Sequence, residues 1–290
     1  MNTARRRCLA WIGVLSVSIG VCRADDWPQW LGPQRDSVWR ETGIVEQFPV
    51  GGPVVKWRAP IAGGYAGPAV VDGRVYVTDY STSGDRTPDP NSRSKLQGQE
   101  RVWCFSAADG RVLWKHEYAC VYEISFPAGP RATPTVDGDR VYTLGAQGDL
   151  FCLKTEDGSV VWSRNFQRDY QATTPLWGYC GHPLVDGDRL FCVVGGAGSI
   201  AVAFDKQTGK ELWRALTAKE PAYCPPTMIE AGGKRQLVIW HAEAINGLDP
   251  QTGQVYWSIP LDANYAMGIA TPRQSGQYLF AGGIVNKSAL

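Results

Sequence analysis

Four segments of the chain carry one short phrase, a Gly followed four residues later by a Trp: Gly110 and Trp114, Gly158 and Trp162, Gly209 and Trp213, Gly253 and Trp257. Asp or Thr precedes each Gly, and the Trp-to-Trp steps are 48, 51 and 44 residues. A period of about 40–50 residues with strand-like flanks specifies a β-propeller or a related array of sheet units. Such units bury their apolar faces against one another. The 290 residues therefore need not divide into separate domains.

The second unit serves as a template. Ala132 to Val136 opens a short strand, and Asp137-Gly138-Asp139 supplies the turn chemistry of a tight hairpin. Arg140 to Leu144, Asp149 to Leu153 and Ser159 to Ser163 read as three more strands separated by Gly-containing turns. Four short antiparallel strands make one propeller blade. The same marks place units at about 65–118, 131–166, 181–216, 223–260 and 267–290, the last one partial. The expected fold is all-β, a propeller with about four complete four-stranded blades and an incomplete one.

Two features interrupt the tiling. Ser81 to Glu100 in the first unit is polar, lacks an apolar period and is expected to be a mobile surface loop. Val54-Val55-Lys56-Trp57-Arg58 resembles a fourth strand with no first three, and could be lent to the last blade to close a ring. Two readings of the incomplete last unit stay open: a fragment of a longer ring, or a small ring of five blades.

Residues 1–24 read as an export signal, with Arg5 to Arg7, an apolar run from Leu9 to Val21, and a small residue at Ala24. The expected location is periplasmic or extracellular, with a lipid anchor through Cys22 disfavoured by the preceding Val21. No later segment is long and apolar enough to be a transmembrane helix. Cleavage there takes four of the 29 basic residues and none of the 28 acids, leaving a net charge of −3. That balance, without a basic run, argues against nucleic acid as a partner. A Trp/Pro-rich segment, 25–52, follows and is expected to pack against the propeller. Six cysteines remain, in no metal-binding spacing. Cys104 and Cys152 hold matching strand positions and are read as small buried residues. Cys120, Cys180 and Cys224 are the candidates for one disulfide.

Ala203-Phe204-Asp205-Lys206-Gln207-Thr208-Gly209-Lys210-Glu211-Leu212-Trp213 resembles the tryptophan-docking motif of pyrroloquinoline-quinone (PQQ) repeat propellers, and Leu248 to Trp257 is a second good copy. The resemblance covers about 53–290. It implies that Trp114, Trp162, Trp213 and Trp257 pack between blades, and that Gly110, Gly158, Gly209 and Gly253 sit in turns reaching a neighbour. The superfamily includes quinoprotein alcohol dehydrogenases, for which PQQ and Ca²⁺ are implied, and BamB-type scaffolds that bind proteins. The dehydrogenases commonly stack a vicinal Cys pair on the quinone, and this chain has none. No catalytic or metal residue is therefore carried over. The expectation is a binding or scaffold module; the alternative is a divergent or fragmentary PQQ/Ca-dependent dehydrogenase.

The first strand of each blade is innermost, so residues just before it should rim the channel mouth. They are Tyr65, Arg131, Trp177, Tyr179, Cys180, His182, Tyr223, Cys224 and Tyr265. A polar-aromatic funnel of this kind suits a small planar ligand or a protein partner, or its rings pack together and close the channel. His182 has no paired acid in sequence. His241 and Glu243 share a strand face, where a hydrogen-bonded pair is expected rather than a metal pair.

Overall fold

The computed structural model describes residues 25–86, 93–284 and 287–289. The segment 1–24, expected to be an export signal, lies outside the described residues. Unit one contains β1 (Ala69–Val71), β2 (Arg74–Ser81), β3 (Ser94–Ser106) and β4 (Val112–Ile124). Unit two contains β5 (Thr135–Asp137), β6 (Arg140–Leu144), β7 (Asp149–Lys154) and β8 (Val160–Asn165), followed by α1 (Phe166–Tyr170). Unit three has β9 (Leu184–Asp186), β10 (Arg189–Val193), β11 (Ala201–Asp205) and β12 (Glu211–Ala215). Unit four has β13 (Thr227–Ala231), β14 (Lys234–Trp240), β15 (Ala244–Leu248) and β16 (Val255–Pro260). Unit five has β17 (Arg273–Ser275), β18 (Tyr278–Gly283) and β19 (Lys287–Ala289). Within every sheet the strands run in sequence order and pair antiparallel. The inner strand β1 contacts β5, and β5 contacts β9, so the first strands gather on one axis.

One local irregularity recurs in all four complete units. The register shifts between the third and fourth strands at Cys104/Phe105, Cys152/Leu153, Ala203/Phe204 and Gly247/Leu248. Directly opposite stands the repeat Trp: Cys104 faces Trp114, Cys152 faces Trp162, Ala203 faces Trp213 and Gly247 faces Trp257. A bulge re-aims a side chain, and a small residue across the ladder leaves room for the indole. This accounts for Cys104 and Cys152, which are fully buried.

Each indole then reaches the next unit. The Trp114 Nε1–H donates to Thr155 O at 2.9 Å, Trp162 to Lys206 O at 3.0 Å and Trp213 to Pro250 O at 3.1 Å. A Cβ at Gly158, Gly209 or Gly253 would stand 2.5–2.6 Å from the ring of Trp114, Trp162 or Trp213 respectively. These glycines also hold φ between +67° and +75°, where an L side chain is strained. Trp257 differs. Its Nε1–H donates to Gln236 Oε1 within its own sheet at 2.6 Å, and the backbone it crowds is Gly247.

Three local expectations require correction. The segment 81–100 is only partly loop, because residues 94–100 belong to β3, which pairs with β4 as far as Ser94 against Ile124. The inward positions of this stretch are Leu96, Gly98 and Glu100, of which Leu96 alone is a large apolar residue, so the strand packs a buried face on Tyr122 and Ile124 without showing an apolar alternation of its own. Residues 54–58 form no strand, and Val54 and Val55 are exposed. Trp57 nevertheless docks as the other indoles do, donating to Ala107 O at 2.9 Å and lying against Gly110. The six described cysteines, Cys120, Cys180 and Cys224 among them, are all free. Cys120 lies within β4 opposite Gly98 and not ahead of an inner strand.

Candidate functional site

The residues ahead of the inner strands separate into an outer group and a buried group. Tyr65 and Tyr265 are 53% and 77% exposed. The backbone N–H groups of Tyr65 and Ala66 donate to Pro130 O, which brings Tyr65 to Arg131. The Arg131 guanidinium lies 5.0 Å from the Tyr65 ring centroid and donates to the carbonyls of Ser125, Phe126 and Gly129. Trp177, half-buried, tilts against buried Tyr223 with centroids 5.4 Å apart. Tyr179 is buried edge-on to Phe166 of α1, away from the rim. Cys180 turns its Sγ toward Gly178 O, and Cys224 toward Pro225 O and Ala270 O.

His182 leaves the rim altogether. It is buried, stacked on Trp30 at 4.1 Å with planes 5° apart, and its Nδ1 accepts the Thr133 backbone N–H at 2.8 Å. Burial, with Arg35 nearby, lowers its pKa to about 3. The imidazole is thus neutral and weakly basic, and its Nδ1 is already occupied.

Trp30 and Arg35 belong to a segment that crosses the axial side of all five units. Trp27 pairs with Val70 of β1 through two backbone hydrogen bonds, and Pro28 O accepts from Val136 N of β5. The Arg35 guanidinium donates to His182 O and Pro183 O ahead of β9 and to Pro226 O ahead of β13, at 3.2–3.3 Å. Arg273 of β17 donates to Arg35 O at 2.8 Å. Arg35 has no carboxylate within ion-pair distance among the described residues, and burial lowers its pKa to about 10. Nothing local in the sequence singles out Arg35, because its partners lie 147–191 residues away. The Trp/Pro composition around it was the sole available signal, and it pointed to packing.

Several acids of the chain are committed elsewhere. Asp137 pairs with Lys206, Asp186 with Arg235, and Asp205 caps the turn at Gln207 and Thr208. Asp79 is fully buried in a two-point contact with Arg101. Glu100, also buried, accepts from Tyr118 OH, Tyr122 OH and the Ala146 N–H, and burial pushes its carboxyl up from the usual range. At 241–243 the two side chains do not pair; His241 Nδ1 accepts the Glu243 backbone N–H at 3.2 Å. Among the described residues no three His, Cys, Asp or Glu side chains converge on a point where a metal could sit.

Bulged four-stranded units docked through Gly and Trp define a propeller of PQQ-like repeats. The family model described as outer membrane protein assembly factor BamB matches residues 98–289, and the chain belongs to that family. No curated protein sequence matches it. Among solved structures it is similar to a quinohemoprotein alcohol dehydrogenase from Comamonas testosteroni, with 15% identity, a TM-score of 0.57, and coverage of 89% of this chain and 46% of that one. It is also similar to BamB from Moraxella catarrhalis, with 18% identity, a TM-score of 0.49, and coverage of 79% and 70%. At these identities the likeness is one of fold. The chain spans less than half of the dehydrogenase. Among the described residues no helix is long and apolar enough to cross a membrane.

Proposed function

We propose that the chain is an exported binding module that presents its channel mouth to a protein partner and carries out no chemistry by itself. The observation that carries this reading is the axial segment. Trp27 to Arg35 lies along the inner strands of all five units, and the Arg35 guanidinium is spent on their carbonyls. The axial side of these units is thus lined by the chain's own residues. Tyr65 and Phe126 stay exposed beside Arg131, and Tyr265 is exposed ahead of unit five. Exposed apolar surface marks interaction sites, and aromatic residues with Arg are enriched at protein interfaces. Export rests on the composition of residues 1–24.

The test is a titration with PQQ, with and without Ca²⁺, followed by intrinsic Trp fluorescence, beside a pull-down with the immobilised chain. The expected result is no saturable quenching, and a captured protein whose retention falls when Tyr65 and Tyr265 are changed to Ala. Both side chains are exposed, so these variants should fold. Saturable, Ca²⁺-dependent quenching would overturn the reading in favour of a cofactor-dependent dehydrogenase.

A further inference from the structure

A cleft of about 470 Å³ opens where the axial segment meets units three to five. Its walls include Gln34 and Arg35 of that segment, Asp186 of β9, Arg235 of β14, and Arg273 and Gln274 of β17. The inner strand β9 runs from His182 toward Asp186, so the cleft lies farther along the strands than the mouth residues. It is a separate place on the molecule.

The charges in this cleft are unbalanced. Asp186 is matched to Arg235 at 2.6 Å, and Asp36, also on the wall, is matched to Arg40. Arg35 and Arg273 have no carboxylate within ion-pair distance among the described residues. The four terminal N–H groups of Arg35 are committed to carbonyl and amide oxygens. Arg273 has one described hydrogen bond, to Arg35 O, from five N–H donors. Arg235 is half-exposed and has a single described partner. Two guanidinium groups with spare donors thus share a walled cleft, with a third cation behind them. A planar guanidinium fork matches the oxygens of phosphate and carboxylate, and the cleft volume suits a small ligand.

We propose that this cleft binds a small oxyanion, a phosphate or a compact carboxylate, between Arg235 and Arg273. The ligand completes the coordination of Arg273 and competes with Asp186 for Arg235. Removing that competitor, in Asp186→Asn, should tighten binding.

The test follows the thermal midpoint of the full chain during titration with sodium phosphate and, separately, sodium malonate, with sodium chloride holding ionic strength constant. A ligand that binds only the folded form raises the midpoint saturably. The expected result is a saturable rise with one or both oxyanions, a Kd at least about tenfold weaker in Arg273→Gln and Arg235→Gln, and a tighter Kd in Asp186→Asn. Phosphate alone or malonate alone would identify which source of the oxyanion fits. If Arg273→Gln fails to fold, because it loses its bond to the axial segment, the half-exposed Arg235 decides the matter. Midpoints that move no further than in chloride would overturn the proposal. Wild-type affinity in Arg235→Gln would do the same.

Discussion

Gly209→Ala isolates what the docking turn contributes. Gly209 holds φ +67°, and an added Cβ would stand 2.5 Å from the Trp162 ring. Two penalties follow. An L residue in this left-handed region costs roughly 1–2 kcal/mol. Pushing a ring that is only 9% exposed and hydrogen-bonded to Lys206 O adds about 1–3 kcal/mol of overpacking. The expected loss is therefore about 2–5 kcal/mol. Gly187 is the internal control, with φ +59° and nothing within 4 Å of its Cβ position. Gly187→Ala should lose only the backbone share, roughly 1–2 kcal/mol. Urea unfolding followed by far-UV circular dichroism measures both, provided a second probe gives a coincident transition. A double-mutant cycle completes the argument. In a Trp162→Ala background the overpacking has no partner, so Gly209→Ala should fall to the Gly187→Ala value. Losses for the two glycines agreeing within about 0.5 kcal/mol in the wild-type background would refute the docking account.

The same logic ranks the tryptophans. Trp213, nearly buried and bonded across units, should cost about 3–5 kcal/mol as Ala, whereas half-buried Trp257, bonded within its own sheet, should cost distinctly less; paired urea midpoints check the order. His182 sets an acid limb. Its folded pKa of about 3 lies below the unfolded value near 6.5, so the unfolded chain takes up a proton that the folded chain refuses, and stability falls as pH drops through that window by up to about 1.4 kcal/mol per unit. His182→Asn, whose Oδ1 can still accept from Thr133 N–H, should flatten this limb between pH 4.5 and 6.5. Superimposable pH profiles for the two proteins would show that His182 is not held neutral.

The parts of the fold legible in the sequence are those specified within a few residues. Asp137-Gly138 announces a hairpin because a two-residue turn needs positive φ, and Gly138 has φ +55°. Gly209 and Trp213 announce a docked blade because both lie within one turn and its strand, although Gly209 meets Trp162 of the unit before and Trp213 meets Gly253 of the unit after. The β3–β4 extension was illegible because the inward side of residues 94–100 is Leu96, Gly98 and Glu100, and the apolar residues that bury it, Tyr122 and Ile124, come from the partner strand. The rim was half legible. Counting back from each inner strand finds Tyr65 and Tyr265 at the surface, but it cannot see that His182 turns inward onto Trp30, 152 residues earlier in the chain.

That inward contact changes what kind of object the array is. In a repeat protein each unit touches its neighbours, and stability is close to a sum of unit and interface terms. The axial segment adds couplings of another kind, because Trp27, Pro28 and Arg35 bond to units one to five within nine residues of chain. Arg35 is the most demanding member. A partly buried guanidinium without a carboxylate is costly unless its N–H groups are satisfied, and here carbonyls from units three and four must both be in place to satisfy them. Unit three cannot shift relative to unit four without stranding that charge. The segment therefore ties units three and four to each other and, through Trp27, Pro28 and Arg273, to units one, two and five. A rim whose exposed rings come from units one and five needs such a device if it is to meet a partner with one shape.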